Sequence, residues 1–194
     1  MPIAINYAHQ FLQYTMKEDL KREIELKPGV SAQLEGSLLK IKGPKGEVNR
    51  VFLHPKIAVS LEGNKIVLFA VKATKKEKTM ICSFESHIIN MVQGVQEPYV
   101  YKLKICSGHF PMSVSVSGNE VVIKNFLGEA VPRKVEIMPG AEVKVTGEEI
   151  TVKSCDVEVA GQTAARIESV CRIVNRDRRI FQDGCYIVEK AGSA

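Results

Sequence analysis

The fold is decided by the stretch Lys42-Gly43-Pro44-Lys45-Gly46-Glu47, because a related stretch, Lys124-Asn125-Phe126-Leu127-Gly128-Glu129, stands 82 residues later. Both stretches follow a short alternating run, begin with lysine and end with Gly-Glu. The same offset aligns Gly36 with Gly118 and Ile41 with Ile123. A motif that recurs with its flanking strand is typical of a duplicated structural unit. The sequence therefore predicts two tandem domains of one fold.

Each predicted domain consists of short strands followed by one helix. In each half, two pairs of alternating runs joined by glycine turns predict two hairpins. The turns are Gly36-Ser37, Glu62-Gly63-Asn64, Gly118-Asn119 and Gly147-Glu148. Apolar residues then fall at the spacing of one buried helical face, from Met80 in the first half and from Thr163 to Val174 in the second. We predict an α+β protein with two similar domains, each a small, mainly antiparallel sheet covered by one helix.

The repeat also sets the predicted domain limits. Residues 1–22 form an N-terminal extension, residues 23–97 the first α+β domain, and residues 98–194 the second, which ends in a basic tail. Within the extension, the residues from Gln10 to Leu20 are predicted to be partly helical. The run Lys75-Lys76-Glu77-Lys78 is predicted to be a charged connector ahead of the first helix.

A strand is predicted to open the second domain, because the residues after Pro98 alternate strictly. The alternation places Tyr99 and Tyr101 on one face. We favour core packing for these tyrosines, with base stacking as the alternative. Residues 107–111 are predicted to form a turn.

The composition is that of an ordinary globular protein, with 194 residues, 45% of them hydrophobic, and a net charge of +5. The five cysteines show no Cys-x-x-Cys spacing, which predicts reduced thiols instead of a disulfide framework or a zinc site. We find neither a signal-peptide pattern nor an apolar run of the ~20 residues that a membrane span requires. A cytoplasmic protein without membrane contact is therefore expected.

We predict no catalytic, cofactor or metal site. The Gly43–Gly46 loop is followed by a strand and lacks the Gly-Lys-Ser/Thr of a nucleotide-binding P-loop. The four histidines lack zinc-ligand spacing, and Gly-x-Ser-x-Gly does not occur, so structural roles are favoured and an enzyme is not expected. What remains is a basic loop with Lys42 and Lys45, whose glycines let it approach a backbone closely.

The most specific local signal is an arginine cluster, since five of the eight arginines lie between Arg166 and Arg179. Arginine is suited to forked, planar contacts with phosphate. Arg166, Ser169 and Arg172 share the exposed face of the second predicted helix, and a basic loop with one aromatic residue follows. This combination suits a phosphate backbone with exposed bases. We favour RNA contact over a merely solvated charged loop.

Five motifs, in chain order, resemble those of one known family. They are Lys42–Glu47, Ser86–Val95, His109–Pro111, Lys124–Glu129 and Phe181–Ile187. The chain is similar to the ribosomal large-subunit proteins of the L-six family in their archaeal/eukaryotic form. The runs Lys75–Lys78 and Phe181–Lys190 look archaeal. The resemblance covers roughly Ile24 to Lys190, almost the whole chain.

The resemblance implies a non-enzymatic structural protein of the cytoplasmic ribosome. It implies binding to large-subunit rRNA near the sarcin–ricin loop, with neighbouring large-subunit proteins as partners and translational GTPases docking nearby. In this family the second domain makes most of the RNA contact. Carried over residue by residue, the implied RNA-binding positions are Lys124, Asn125, Arg133, Lys134, Gln162, Arg166, Arg172, Arg176, Arg178, Arg179, Phe181 and Asp183. Lys42 and Lys45 form a secondary basic loop.

Two positions depart from the family pattern. Ala130 stands where the family usually has lysine, which weakens the charge of its loop, and Cys185 replaces isoleucine, which exchanges one apolar side chain for another. The alternative function is a two-domain protein–protein adaptor without RNA binding, which would dock through exposed sheet edges. The arginine cluster favours RNA, because an adaptor does not need it.

Overall fold

The computed structural model describes residues 18–108 and 110–192. In this part of the chain, thirteen β-strands, two α-helices and one short 3-10 turn follow one another. They divide into two compact units. The first contains residues 18–41 and 49–92, and the second contains residues 42–48 and 93–192. Neither described helix is both long enough and apolar enough to cross a membrane.

The first half of the chain builds two three-stranded sheets ahead of its helix. Its elements are β1 (Glu18–Glu25), β2 (Ser31–Glu35), β3 (Leu38–Gly43), β4 (Gly46–Val51), β5 (Ile57–Glu62), β6 (Lys65–Ala73) and α1 (Lys75–Gly94). The sheet orders are β1-β6-β5 and β2-β3-β4. Gly36 and Gly63 turn the two hairpins at φ values of 64° and 60°, a left-handed conformation that glycine adopts without a Cβ penalty.

The second half builds a three-stranded and a four-stranded sheet. Its elements are β7 (Tyr99–Cys106), β8 (Ser113–Ser117), β9 (Glu120–Lys124), a 3-10 turn (Phe126–Gly128), β10 (Arg133–Glu136), β11 (Ala141–Thr146), β12 (Glu149–Ser154), α2 (Val157–Val170) and β13 (Gly184–Glu189). The sheet orders are β10-β9-β8 and β11-β12-β7-β13, and every strand pair in these two sheets is antiparallel.

The two halves repeat the same order of elements. The offset of 82 residues takes the β2–β3 turn at Gly36 onto the β8–β9 turn at Gly118, and it takes Lys75, which begins α1, onto Val157, which begins α2. β1 and β7 occupy equivalent places, since each pairs antiparallel with the strand before the helix, β6 or β12. The predicted α+β fold of two similar domains is confirmed. β13 is an addition to the second half, where it pairs with β7.

The core of the first unit lies between its sheets and α1. Leu39, Ile66 and Leu68 are fully buried, and Phe52 and Phe84 meet edge to face with ring centroids 5.1 Å apart. Burying each large apolar side chain stabilises the fold by about 1.5–3 kcal/mol. The alternating and helical spacings in the sequence therefore mark the inward faces of these elements.

The core of the second unit is built in the same way, with Ile123, Ile150 and Ile167 fully buried. Tyr101 packs against this cluster, so core packing, the favoured interpretation, is correct for that tyrosine. Its hydroxyl oxygen lies 3.1 Å from where a Cβ of Gly161 would stand. The glycine in α2 thus lets the helix lie close to β7.

β1 corrects the predicted helix that extended to Leu20. Residues 18–20 belong to β1, in which Leu20 lies opposite Ala70 of β6, and residues 10–17 of the predicted helix lie outside the described residues. The reason is long-range pairing, because context decides whether a short segment becomes a strand more than its own composition does. β1 begins inside the stretch assigned to the extension; the domain limits stay a prediction.

The run Lys75–Lys78 is the first turn of α1 and not a connector. The Thr74 amide donates to Oε2 of Glu77 at 2.9 Å, and the Thr74 hydroxyl bonds the same carboxylate. The Glu77 carboxylate thus satisfies the backbone amide of Thr74, as the acidic residue of a capping box does. Nζ of Lys56 lies 3.0 Å from Oε1 of Glu77 and forms an ion pair with it. The hydrogen bonds from Thr74 and Lys56 lower the pKa of Glu77 to about 2.

α2 ends before the last residue of its predicted face. The Asp156 side chain caps the start of the helix by accepting from the Glu158 amide at 2.8 Å. At the other end, the Cys171 amide bonds to the Glu168 carbonyl at 3.2 Å, which tightens the final turn and stops the helix. The prediction that Val174 lies on the buried face of this helix is therefore wrong, because Val174 lies beyond the helix and is 66% exposed. Arg172, predicted on the exposed face of the same helix, also lies beyond its end. The strand β13 was not predicted.

Candidate nucleic-acid interface

The loop after β9 presents Lys124 and Asn125 on a backbone fixed by a buried ring. Both residues are exposed. Asn125 has a left-handed φ of 59°, and its side-chain amide donates to the Pro111 carbonyl at 3.0 Å. Phe126 is 1% exposed and anchors the loop in the core of the second unit. A left-handed non-glycine residue persists only where its surroundings hold it, so these contacts keep Lys124 and Asn125 at the surface.

Arg133 is engaged by the protein itself. Its guanidinium makes two hydrogen bonds to the Glu129 carboxylate, from Nε at 2.8 Å and from Nη2 at 2.6 Å. It also donates to the Val170 carbonyl and stacks 4.3 Å from the centroid of the Phe126 ring. The hydrogen bonds from Arg133 lower the pKa of Glu129, so the pair stays charged. Arg133 thus connects the loop after β9 to the end of α2 and acts as a positioning residue.

An open groove of about 410 Å³ brings together Lys134 of β10 and Gln162 and Arg166 of α2. Gln162 and Arg166 are exposed and one helical turn apart, whereas Ile167 on the opposite face is buried. Lys134 lies 3.3 Å from Glu120, a surface ion pair of the kind that contributes little to stability and can be exchanged. The groove therefore offers two cations and one amide to an anionic ligand, beside one carboxylate of its lining, that of Glu136.

The segment between α2 and β13, residues 171–183, carries four exposed arginines and is called the arginine loop below. Arg179 binds Asp177 through Nη2 at 2.7 Å and Nε at 3.1 Å, and these hydrogen bonds lower the pKa of Asp177. Within residues 18–108 and 110–192, Arg172, Arg176 and Arg178 have no carboxylate at ion-pair distance. The arginine loop thus presents positive charge that no carboxylate of the described residues neutralises.

Phe181 and Asp183 fix the shape of the arginine loop. The Phe181 amide donates to the Asp177 carbonyl at 2.9 Å, and the Arg176 guanidinium carbon lies 5.0 Å from the centroid of the Phe181 ring. Asp183 is 2% exposed, and its Oδ1 accepts a hydrogen bond from the Gly108 amide. This buried carboxylate ties the end of the arginine loop to the segment after β7. Asp183 therefore shapes the loop without presenting its carboxylate to solvent.

Lys42 and Lys45 lie on a loop that packs against residues of its own unit. A Cβ on Gly46 would lie 2.8 Å from Sγ of Cys155. The Lys45 amide donates to the Val95 carbonyl at 3.0 Å, and the Cys155 thiol donates to the Lys45 carbonyl at 3.5 Å. The close backbone approach predicted for this loop is thus made to the protein's own chain. The side chains of Lys42 and Lys45 remain exposed.

Some residues that build this surface were missed by sequence reasoning. Glu168 ties α2 to β13, since its Oε1 accepts from the Ile187 amide at 3.1 Å. Gly108 holds Asp183 across 75 residues of chain, a separation that no local pattern reveals. Glu129 is different, because it is the last residue of the repeated Gly-Glu motif and can therefore be singled out from the sequence. In the structure, Glu129 is the residue that binds Arg133.

The interface offers cationic nitrogens, amides and hydroxyls, which suit phosphate and sugar oxygens. Among the described residues, no group of three or more His, Cys, Asp or Glu side chains is arranged to hold a metal ion. The five cysteines are free thiols. Cys171 and Cys185 are buried, and the hydrogen bond between them lowers the pKa of the Cys171 thiol.

The family whose model matches is described as Ribosomal protein L6, and the match covers residues 28–98 and 110–184. The large ribosomal subunit protein uL6 of Saccharolobus solfataricus is 49% identical over 172 residues, which are 88% of this chain and 95% of that protein. The protein of the same name from Methanococcus vannielii is 44% identical over 173 residues, which are 89% of this chain and 95% of that protein. Both relatives are archaeal, in agreement with the archaeal character of the motifs.

Proposed function

Because the chain belongs to the ribosomal protein L6 family, we propose that it binds large-subunit rRNA near the sarcin–ricin loop, beside the docking site of the translational GTPases. The chain is a structural constituent of the large ribosomal subunit and not an enzyme, and it belongs to the cytoplasmic ribosome. Neighbouring large-subunit proteins are its other partners. The main RNA contact is assigned to the second domain, residues 98–194.

The observation that carries this proposal is the unneutralised charge of the arginine loop. Arg172, Arg176 and Arg178 are exposed and lack a carboxylate at ion-pair distance within the described part of the chain. Like charges held close together repel, and a polyanion relieves that repulsion. A guanidinium also matches a phosphate group with two parallel hydrogen bonds. The phosphodiester backbone of RNA is the ligand that uses both properties.

The groove and the loop after β9 also support the proposal. Arg133 links the two, since it binds Glu129 of the loop region and the carbonyl of Val170, which lines the groove. The exposed ammonium, guanidinium and amide groups on this linked surface are those of Lys124, Asn125, Lys134, Gln162 and Arg166. Amide and ammonium groups of this kind position a protein on phosphates and sugars.

The proposal is tested with Arg178→Ala and Arg179→Ala together, in the full chain. Each phosphate contact contributes roughly 0.7–0.9 to the slope of log affinity against log salt concentration, so losing two should flatten the slope by about 1.4–1.8. The measurement is filter binding of an rRNA fragment containing the sarcin–ricin loop at several salt concentrations. Lys42→Ala with Lys45→Ala is the matched control, because it removes the same charge from the other loop. If the control flattens the slope and the arginine variant does not, the assignment to the second domain is wrong.

A sucrose gradient separates the proposed function from that of an adaptor. A protein held by rRNA sediments with the large subunit, and its release should follow rising salt, as counterion displacement requires. An adaptor without RNA binding would stay at the top of the gradient. Recovery at the top, at low salt and with intact subunits, would refute RNA binding.

A further inference from the structure

The start of α1 carries a second group of cations that the proposed interface does not use. Lys75, Lys76 and Lys78 are exposed, and none has a carboxylate at ion-pair distance in the part of the chain that is described. The acid between them, Glu77, is 7% exposed and is bound by the capping residue Thr74. The capping box thus turns the only acid of the run inward, and the three ammonium groups remain on the solvent side.

Two of these lysines line an open groove of about 690 Å³ along α1. Among the described residues its lining contains no carboxylate, and besides Lys75 and Lys78 it consists of Thr79, Cys82, Ser83, Ser86, His87 and Asn90. These residues recur every three or four positions, so they form one face of the helix that is roughly 22 Å long. The charge and the lining together suit an extended polyanion.

Two hydroxyl groups in the groove have a defined direction. The Thr79 hydroxyl donates to the Lys75 carbonyl at 2.9 Å, and the Ser86 hydroxyl donates to the Cys82 carbonyl at 2.9 Å. A hydroxyl has one proton, so each oxygen can only accept a further hydrogen bond. The ribose 2′-hydroxyl is a donor that DNA lacks. The groove therefore combines ammonium groups for phosphate with acceptors for ribose.

We propose that this groove is a second RNA-binding site, in which Lys75 and Lys78 bind phosphates of one strand and the oxygens of Thr79 and Ser86 accept hydrogen bonds from ribose 2′-hydroxyls. The site lies in the first unit, and it rests on the proposed function only in taking large-subunit RNA as the ligand. It is not a copy of the site in the second unit, because the equivalent positions, residues 157–160, contain no lysine.

The phosphate contacts are tested with Lys75→Ala and Lys78→Ala together, in the full chain, against deproteinised large-subunit rRNA. The salt slope should flatten by about one to two, because two phosphate contacts are removed. Lys27→Ala with Lys153→Ala is the control, since both residues are exposed lysines outside the groove and the net charge changes equally. Equal slopes for the two double variants would overturn the site.

The ribose contacts are tested with Thr79→Val and Ser86→Ala together, on an RNA duplex and a DNA duplex of the same sequence. The preference for RNA should fall by about fivefold or more, the loss expected from two hydrogen bonds. Ser115→Ala with Thr146→Val, two exposed strand positions, should leave the preference unchanged. A preference that is the same in both variants overturns the role of the hydroxyls.

Lysine acetylation in intact large subunits, read by mass spectrometry, identifies the occupant. Lys75 and Lys78 should be protected and should become reactive after ribonuclease digestion. Protection that survives digestion would mean that a protein covers the groove, and it would overturn the proposal. The arginine variant separates the two hypotheses: if Arg178→Ala with Arg179→Ala weakens binding while the lysine variant does not, only the α1 site fails.

Discussion

Gly94→Ala should destabilise the protein more than Gly46→Ala or Gly63→Ala, because Gly94 lies directly against the main chain of Cys155 within the second unit. A Cβ at Gly94 would overlap the carbonyl oxygen of Cys155, and it would lie 3.0 Å from the carbonyl carbon of Cys155 and 2.9 Å from Cε2 of Tyr99. The Tyr99 ring can shift, but the Cys155 carbonyl is main chain. Relief therefore requires the backbone itself to move.

The magnitude follows from comparing three glycines. At Gly46 a Cβ would meet Sγ of Cys155 at 2.8 Å, a side-chain atom that can rotate, so Gly46→Ala should cost about 1–3 kcal/mol, the usual range for overpacking. At Gly63 a Cβ has open space but a φ of +60°, so Gly63→Ala should cost about 1–2 kcal/mol of backbone strain. Gly94→Ala combines overlap with an immobile partner and should cost about 3 kcal/mol or more.

Urea unfolding followed by circular dichroism measures the three free energies, and equal m values would show that the denatured state is unchanged. We expect the losses in the order Gly94, Gly46, Gly63. If Gly94→Ala unfolds at the same urea concentration as Gly63→Ala, the close approach of Gly94 to Cys155 does not exist in solution. A variant too unstable to purify is compared by thermal melting in lysate against Gly63→Ala.

Two further predictions concern polar contacts. The pKa of Glu77 is lowered from 4.5 to about 2, so the stabilisation by its carboxylate is fully present above about pH 5 and is lost as the pH falls towards 2. The difference in unfolding free energy between the wild type and Glu77→Gln should therefore shrink between about pH 5 and about pH 2. A difference that stays constant over this range would contradict the prediction. Arg133→Ala should cost about 1–3 kcal/mol, because it leaves the Val170 carbonyl and Glu129 without their donor. Lys134→Ala, at the exposed residue next to Arg133, should change stability by less than about 0.5 kcal/mol and lower only the affinity for RNA. Equal stability losses of the Arg133 and Lys134 variants in thermal melts would contradict this difference in role.

The hairpins and the repeat could be predicted because their determinants are local. Gly36, Gly63, Gly118 and Gly147 all take left-handed φ values in tight turns, and alternation on each side marks the buried face. β1 and β13 could not be predicted in this way, because each is defined by a partner far away, β6 or β7. The start of α1 was readable from Thr74-Lys75-Lys76-Glu77, a capping-box pattern, but the charge run obscured it.

The same distinction between local determinants and long-range contacts applies to the candidate site. The arginine loop was visible because its charge is concentrated in one short stretch, and the structure leaves three of its arginines without a counter-charge in the described residues. The contacts that shape the loop, such as Asp183 with Gly108, join residues 75 positions apart and leave no local trace. Sequence identifies side chains that can bind, whereas folding decides which of them are used to hold the others.

The two copies of the duplicated unit have diverged in which end of the helix carries charge. In the first copy the loop glycines pack against the protein's own chain, while lysines gather at the start of α1. In the second copy the loop is anchored by Phe126 and Arg133, and arginines follow the end of α2. Lysine at a helix start opposes the helix dipole, which favours anions there. A stable fold can tolerate this unfavourable placement of lysines if a bound polyanion supplies the negative charge. The acetylation experiment tests this, because it measures whether RNA covers Lys75 and Lys78.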